Sequence, residues 1–242
     1  MKSLVITGGG RGIGRATALG AAKRGWAVML SYVSDPAAAE AVVAEIRASG
    51  GTAEAVRCDV AEEADQLALF DAAEARFGRI DAVVANAGGL APRPLPLAEM
   101  DVARLRHSLD VNLLGAALTA REAARRLPEG GALVLVSSMA ARLGSPGEYV
   151  DYAMAKGGVD TLVLGLAKEL GPRGIRVIGI RPGIIETDIH ASGGYADRAK
   201  HFAHTASLGR TGQPEEVADA ILWALDGASY VTGTFLDVSG GR

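Results

Sequence analysis

The chain holds a single cysteine, Cys58, among its 242 residues. One thiol cannot close an internal disulfide, and the apolar start "MKSLVITGGG" runs straight into glycines without a signal-peptide cleavage pattern. A cytoplasmic protein is therefore expected. Long apolar runs are missing as well: charge punctuates the alanine-rich stretches every few residues, and none approaches the roughly 18 residues of a membrane helix. Nor is charge of one sign concentrated anywhere. With a net charge of −3 and Lys, Arg, Asp and Glu mixed along the sequence, there is no basic stripe for nucleic acid and no polybasic tail for anionic lipid. Linkers rich in Pro and Ser, repeats and low-complexity tracts are absent too. What remains suits small-molecule partners: a chain that is 49% apolar and of a length that one α/β domain, residues 1–242, can occupy.

Short β-branched runs alternate with longer segments of helical period. Strands are expected over 3–7, 27–33, 53–57, 80–85, 132–136, 176–180 and 234–238, and helices over 12–24, 36–48, 62–77, 100–127, 150–170 and 214–225. Alternation of this kind implies right-handed crossovers and a doubly wound, Rossmann-type α/β fold: a seven-stranded, mostly parallel sheet with helices on both faces. Runs such as "AVVAN" and "ALVLVSS" are apolar on both faces, as buried parallel strands are. One long polar segment, 183–213, interrupts the pattern, and its length suggests a substrate loop. Ligands of such sheets bind beyond the carboxyl ends of the strands. The residues expected there are 7–14, 31–34, Asp59 and Val60, Asn86-Ala87-Gly88, Ser137-Ser138, and Pro182-Gly183.

In "TGGGRGIG", Gly8, Gly12 and Gly14 sit between strand and helix, where missing side chains let backbone N–H groups approach a pyrophosphate at the helix N-terminus. The spacing departs from G-x-G-x-x-G, and a tight turn without a ligand would also explain it. Tyr152 and Lys156 in "YAMAK" are four apart on an expected helix and so share a face; a nearby ammonium favours the phenolate of a tyrosine. A buried Tyr and a surface Lys at this spacing also arise by chance. Tyr149 has Ala153 four residues on and lacks such a partner. Ser137 or Ser138 could donate to a substrate oxygen gaining negative charge, or only close a turn. Asn112, mid-helix, could bend the helix or hold water. His190, His201 and His204 share the polar segment with Glu186 and Asp188, but their spacing matches no zinc pattern, so no metal is expected.

Taken together, "TGGGRGIG", "ANAG", the Asn of "DVNLLG", the Ser of "VSS", "YAMAK" and "RPGIIET" resemble, in order and spacing, the short-chain dehydrogenases/reductases of the compact single-domain type. The resemblance covers essentially the whole chain and extends to "YVTGTFLDVSGG". The stretch "SSMAARLGSPGEYVDYAMAKGG" looks like the branch of glucose-dehydrogenase-like oxidoreductases. The resemblance implies a nicotinamide-dependent oxidoreductase in which Tyr152 exchanges a proton with the substrate oxygen and Ser138 polarises it. Lys156 would hold the nicotinamide ribose and depress the Tyr152 pKa, and Asn112 would anchor a proton-relay water. It also implies that the loop Gly8, Gly12, Ile13 and Gly14 binds phosphate, that Asp59 and Val60 border the adenine, and that Asn86, Ala87 and Gly88 shape the floor beneath it. Pro182, Gly183, Ile185 and Thr187 would meet the nicotinamide carboxamide. Ser138 lies one residue farther from Tyr152 than in many members, and the Gly144-Ser145-Pro146-Gly147 turn is where that residue is expected to bulge.

Members that prefer NAD carry an acid after the second strand; here the position is Tyr32, next to Ser31. Arg11, Ser31 and Ser34 offer donors to a ribose phosphate, so NADP(H) is the preferred cofactor and NAD(H) the alternative. Asp35 precedes Pro36 and reads as a helix start. A homotetramer or dimer is implied through helices near 101–127 and 150–170. A non-catalytic nucleotide binder of the same fold is the competing function. A sugar-nucleotide epimerase would resemble a longer chain with an added domain.

Overall fold

The computed structural model describes residues 1–189, 193–195 and 197–242. Its strands are β1 (Ser3–Ile6), β2 (Ala27–Tyr32), β3 (Thr52–Arg57), β4 (Ala82–Ala85), β5 (Ala132–Val136), β6 (Arg176–Pro182) and β7 (Thr234–Val238). They form one seven-stranded sheet in the order β3-β2-β1-β4-β5-β6-β7. Every pairing is parallel, so the expected "mostly parallel" sheet is wholly parallel.

The helices are α1 (Gly12–Lys23), α2 (Pro36–Ala48), α3 (Glu63–Phe77), α4 (Val102–Leu109), α5 (Gly115–Arg126), α6 (Ala140–Leu143), α7 (Val150–Leu170), α8 (Arg198–Phe202) and α9 (Pro214–Asp226). Successive strand residues point to opposite faces, and in the inner strands both faces are dry, while the edge strands β3 and β7 are partly exposed. Leu4, Ile6, Val28, Leu30, Val134 and Ile178 pack with Val42 and Ile46 of α2 and Val217 and Ile221 of α9. Val5, Met29, Val83 and Leu133 pack on the other side with Leu69 and Phe70 of α3, Ala120 of α5 and Val163 of α7. Two-sided burial explains why the strands read as unbroken apolar runs.

The helix expected over 100–127 is not continuous. It begins at Val102, and Asp110–Leu114 form a π-helical turn between α4 and α5. The cause is Asn112: its amide Nδ2 donates to the carbonyls of Ser108 and Gly89, both at 3.0 Å, and its Oδ1 accepts from Gly89 N–H at 2.9 Å. Side-chain bonding of this kind competes with the regular ladder and produces such bulges. Among the described residues no helix is long and apolar enough to cross a membrane.

Candidate active site

The strand order reverses between β1 and β4, and the carboxyl ends of the strands open there into a cleft of about 780 Å³. Its walls carry most of the residues singled out in the sequence: Gly8, Arg11, Gly12, Ile13, Ser31, Tyr32, Asp59, Val60, Asn86, Ala87 and Gly88, then Ser138, Tyr152, Lys156, Pro182, Gly183, Ile185 and Thr187. Gly14 and Asn112 lie just behind the wall.

The glycine loop has little room for anything but glycine. Gly8 has φ +67°, a left-handed conformation, and a Cβ on Gly14 would overlap the Gly8 carbonyl and the Asn86 amide. Asn86 holds the loop from behind: its Nδ2 donates to the carbonyls of Thr7 and Gly8 at 3.0 and 3.1 Å. Thr7 Oγ1 in turn accepts from the N–H groups of Asn86 and Ala87. The loop then enters α1, whose first residues, Gly12 and Ile13, line the cleft where a phosphate cradle would need the unpaired N–H groups of a helix start. A Cβ on Gly12 would come within 3.1 Å of Thr187 Cγ2, so the segment after β6 meets the glycine loop. This cradle fits a dinucleotide pyrophosphate.

At the β2 end, Arg11 and Ser34 are exposed and Tyr32 is half-buried. Ser31 is 1% exposed at the cleft wall, and its Oγ accepts the Gly8 N–H at 3.2 Å, so it also props the loop. Asp35 caps α2, accepting from Ala38 N–H at 2.9 Å, the helix-start role expected of it. Asp59 Oδ1 accepts from Ala61 N–H at 3.1 Å, and Val60 is buried against Gly115.

At the β5 end the two serines separate cleanly. Ser137 is buried and its hydroxyl donates to the Lys156 carbonyl at 3.2 Å, fixing α7 to the sheet. Ser138 faces Tyr152. Between them the chain turns through left-handed Gly144, Ser145 (φ +44°) and Gly147, an unusual conformation for a serine. This is the turn in which the additional residue was expected to bulge.

The expected depression of the Tyr152 pKa by Lys156 is not what the surroundings produce. Burial pushes the phenol up, and the groups that pull it back are Ser138, by hydrogen bonding, and the Arg198 charge. Lys156 lies 5.6 Å from the Tyr152 ring centre and donates to the Val136 carbonyl at 2.8 Å. Burial lowers its ammonium from 10.5 to about 8, partly offset by Asp160. Gly88 fits between Asn112 and Lys156: a Cβ there would sit 2.8 Å from Asn112 Oδ1 and 3.3 Å from Lys156 Nζ.

Tyr149 is a different kind of tyrosine. It is 1% exposed, and its hydroxyl donates to the Gly193 carbonyl at 2.8 Å, tying Gly193 to the start of α7. Arg104 secures the start of α7 through a buried pair with Asp151 at 2.9 Å. Sequence reasoning did not single out Glu148, Arg198, Phe202 or Arg242, which close the cleft beside Tyr152. Arg198 and Phe202 share α8, whereas Glu148 and Arg242 reach the same place from segments far off in the sequence. His201 and His204 are exposed, His190 lies outside the described residues, and among the described residues no acid, His and Cys cluster could hold a metal.

Comparison with known proteins agrees with this geometry. A family model described as enoyl-(acyl carrier protein) reductase matches residues 8–242. The chain is 44% identical to the uncharacterized oxidoreductase YgfF of Escherichia coli (strain K12), covering 100% of each. It is 40% identical to the cis-4-hydroxycyclohexanecarboxylate dehydrogenase of Sinomonas cyclohexanicum, over 98% of this chain and 94% of that one. A short-chain dehydrogenase from Burkholderia cenocepacia J2315, solved in complex with NADP, superposes with a TM-score of 0.92 at 32% identity, covering 99% and 97% of the two chains. With the glycine cradle at one end of the cleft and the serine, tyrosine and lysine at the other, the chain belongs to the short-chain dehydrogenase/reductase family of nicotinamide-dependent oxidoreductases.

Proposed function

We propose that the protein is an NADP(H)-dependent carbonyl reductase or alcohol dehydrogenase of the cytoplasm, acting on a small organic substrate. The observation that carries the reading is that Ser138, Tyr152 and Lys156 line one end of a cleft whose other end is the glycine loop. When bound, the nicotinamide supplies hydride to a carbonyl carbon or takes it from an alcohol carbon. Tyr152 Oη gives a proton to the carbonyl oxygen in reduction and receives one in oxidation. Burial keeps this phenol protonated at neutral pH, the state that reduction needs. Ser138 Oγ donates to the same oxygen as negative charge grows on it. Lys156 would hold the nicotinamide ribose, and Asn112 keeps the π turn fixed near it, where a proton-relay water would bind. The Sinomonas relative, by its name, oxidises a hydroxycyclohexanecarboxylate, a secondary alcohol of the class proposed here.

Arg11 supports NADP(H) over NAD(H). It lines the β2 end of the cleft, and the nearest acid in sequence, Asp35, is engaged as the α2 cap. A 2′-phosphate would meet a guanidinium there with no carboxylate in the usual ribose position. We also infer that copies associate as a tetramer or dimer through α4, α5 and α7, near which Leu114, Met154 and Leu164 are exposed. Sedimentation at assay concentration showing only monomer would refute that.

The test is NADPH oxidation against a panel of aldehydes and diketones, with NADPH binding followed by fluorescence. Turnover by the wild type is expected, with a loss of about a hundredfold or more in Tyr152→Phe while NADPH binding persists. Binding without turnover on any substrate would favour the non-catalytic binder.

A further inference from the structure

We infer that Tyr149 is a positioning residue: its hydroxyl fixes Gly193, and with it Leu90 and Ile189 at the Tyr152 end of the cleft, to the helix that carries Tyr152. The inference rests on the reading above for what the cleft binds, and on a separate set of contacts for the anchoring. Tyr149 lines the cleft, directly precedes α7 and stands three residues before Tyr152. It is buried, and its hydroxyl donates to the Gly193 carbonyl at 2.8 Å. Gly193 is where the contacts meet. Its own N–H donates to the Ile189 carbonyl at 3.0 Å, and a Cβ on it would lie 3.0 Å from Leu90 Cβ and 3.1 Å from Leu90 Cδ1. Leu90 follows β4, Ile189 follows β6, and both line the cleft. One hydroxyl thus joins two apolar wall residues from distant segments to the start of α7.

The ring beneath that hydroxyl is held without it. The guanidinium carbons of Arg104 and Arg198 lie 5.9 and 5.6 Å from its centre, close enough for cation–π attraction. Each arginine is itself paired, Arg104 with Asp151 at 2.9 Å and Arg198 with Glu148 at 2.7 Å. Arg104 also donates to the Arg93 carbonyl at 2.6 Å, and the Leu95 N–H donates to the Glu148 carbonyl at 2.9 Å, so the chain after β4 is tied to the same place. A phenylalanine at 149 therefore keeps the ring contacts, both ion pairs and the start of α7. What it removes is the donor to Gly193, a buried residue whose carbonyl then loses its partner. Leu90 and Ile189 lose their fixed distance from Tyr152 with it. A substrate large enough to touch both walls depends on that distance for its alignment with the reacting groups. A small one does not, and neither does the cofactor at the glycine loop.

The experiment pairs turnover with hydrogen exchange in the wild type and Tyr149→Phe. Two diketones with the same reacting group, butane-2,3-dione and 1-phenylpropane-1,2-dione, are reduced with NADPH. In the variant KM for the phenyl diketone should rise about fivefold or more, while KM for butanedione and the NADPH dissociation constant stay within about twofold. A general loosening of the fold would weaken both diketones and NADPH together. Amide exchange followed by mass spectrometry needs no substrate: the peptide carrying Gly193 should exchange about fivefold or more faster in the variant, with β5 unchanged. Should Tyr149→Phe not fold, Gly193→Ala keeps the hydroxyl but pushes on Leu90, and the ratio of the two KM values decides in the same way. Equal shifts for both diketones, or none, overturn the inference and leave the proposed reaction standing. Where the wild type turns over neither diketone, exchange decides: faster exchange at Gly193 in the variant upholds the anchoring, and unchanged exchange refutes it. Inactivity toward every carbonyl overturns the reaction instead.

Discussion

Lys156 is 3% exposed, and burial lowers its ammonium from 10.5 to about 8. That difference corresponds to about 3 kcal/mol of penalty for keeping the charge in the folded protein. Lys156→Met removes the penalty together with the hydrogen bond to the Val136 carbonyl, which contributes about 1 kcal/mol. A net gain of about 2 kcal/mol at pH 7 follows, or about 4–8 °C in melting temperature for a chain of this size. The sign with pH is fixed. Unfolded, Lys156 keeps its proton to about 10.5; folded, it releases it near 8. Between these values the unfolded state binds more protons, so rising pH stabilises the wild type relative to the variant. The advantage of Lys156→Met should be full below pH 8 and should fade as pH approaches 10.5. Urea unfolding of both proteins from pH 6.5 to 10, at one fixed protein concentration, measures the difference. Turnover should be lost in the variant, the usual exchange of stability for function at a site. A variant that is less stable at pH 7, or a difference that is flat with pH, would refute the reasoning.

Other substitutions test other parts of the structure. Asp151→Asn leaves Arg104, 10% exposed, without its buried charge partner; a loss of about 3–5 kcal/mol in denaturant unfolding is expected, and a change under 1 kcal/mol would contradict it. Arg11→Ala should raise the NADPH dissociation constant about tenfold or more and that of NADH far less, read by fluorescence titration; equal losses would remove the case for a ribose phosphate. Cys58 lines the cleft, but its thiol is pushed up to about 12 by burial. It should react with Ellman's reagent at pH 7 only slowly in the native protein and rapidly once unfolded; prompt native reactivity would contradict that.

The inner strands were legible because each is a short apolar run closed by glycine, proline or polar residues, and the edge strands β3 and β7 from their place in the alternation. The runs 132–136 and 234–238 coincide with β5 and β7, and the others shift by a residue or two. The break at Asp110–Leu114 was not legible, because it depends on Asn112 reaching Gly89, a partner in a different loop. In the same way the spacing placed Ser137 and Ser138 at the end of a strand, and only burial tells them apart: one hydroxyl holds the Lys156 carbonyl while the other faces Tyr152. The direction of the Tyr152 shift was misread for a related reason. A helical spacing of four shows that Lys156 is near, and it does not show how much water both groups lose. Arg242 carries no signal in the sequence, since it reaches the Phe202 ring of α8 from beyond β7, a contact between residues forty apart in the chain.

Transfer of deuterium from 4-deuterated NADPH to a carbonyl substrate tests hydride chemistry at this site most directly. Mass spectrometry of the product alcohol should find deuterium on the former carbonyl carbon with the wild type, and in Tyr152→Phe at a rate lower by about a hundredfold or more. Deuterium transfer at the wild-type rate in Tyr152→Phe would contradict the assignment of the proton donor. No transfer to any carbonyl, from a protein that binds NADPH, would contradict the oxidoreductase itself.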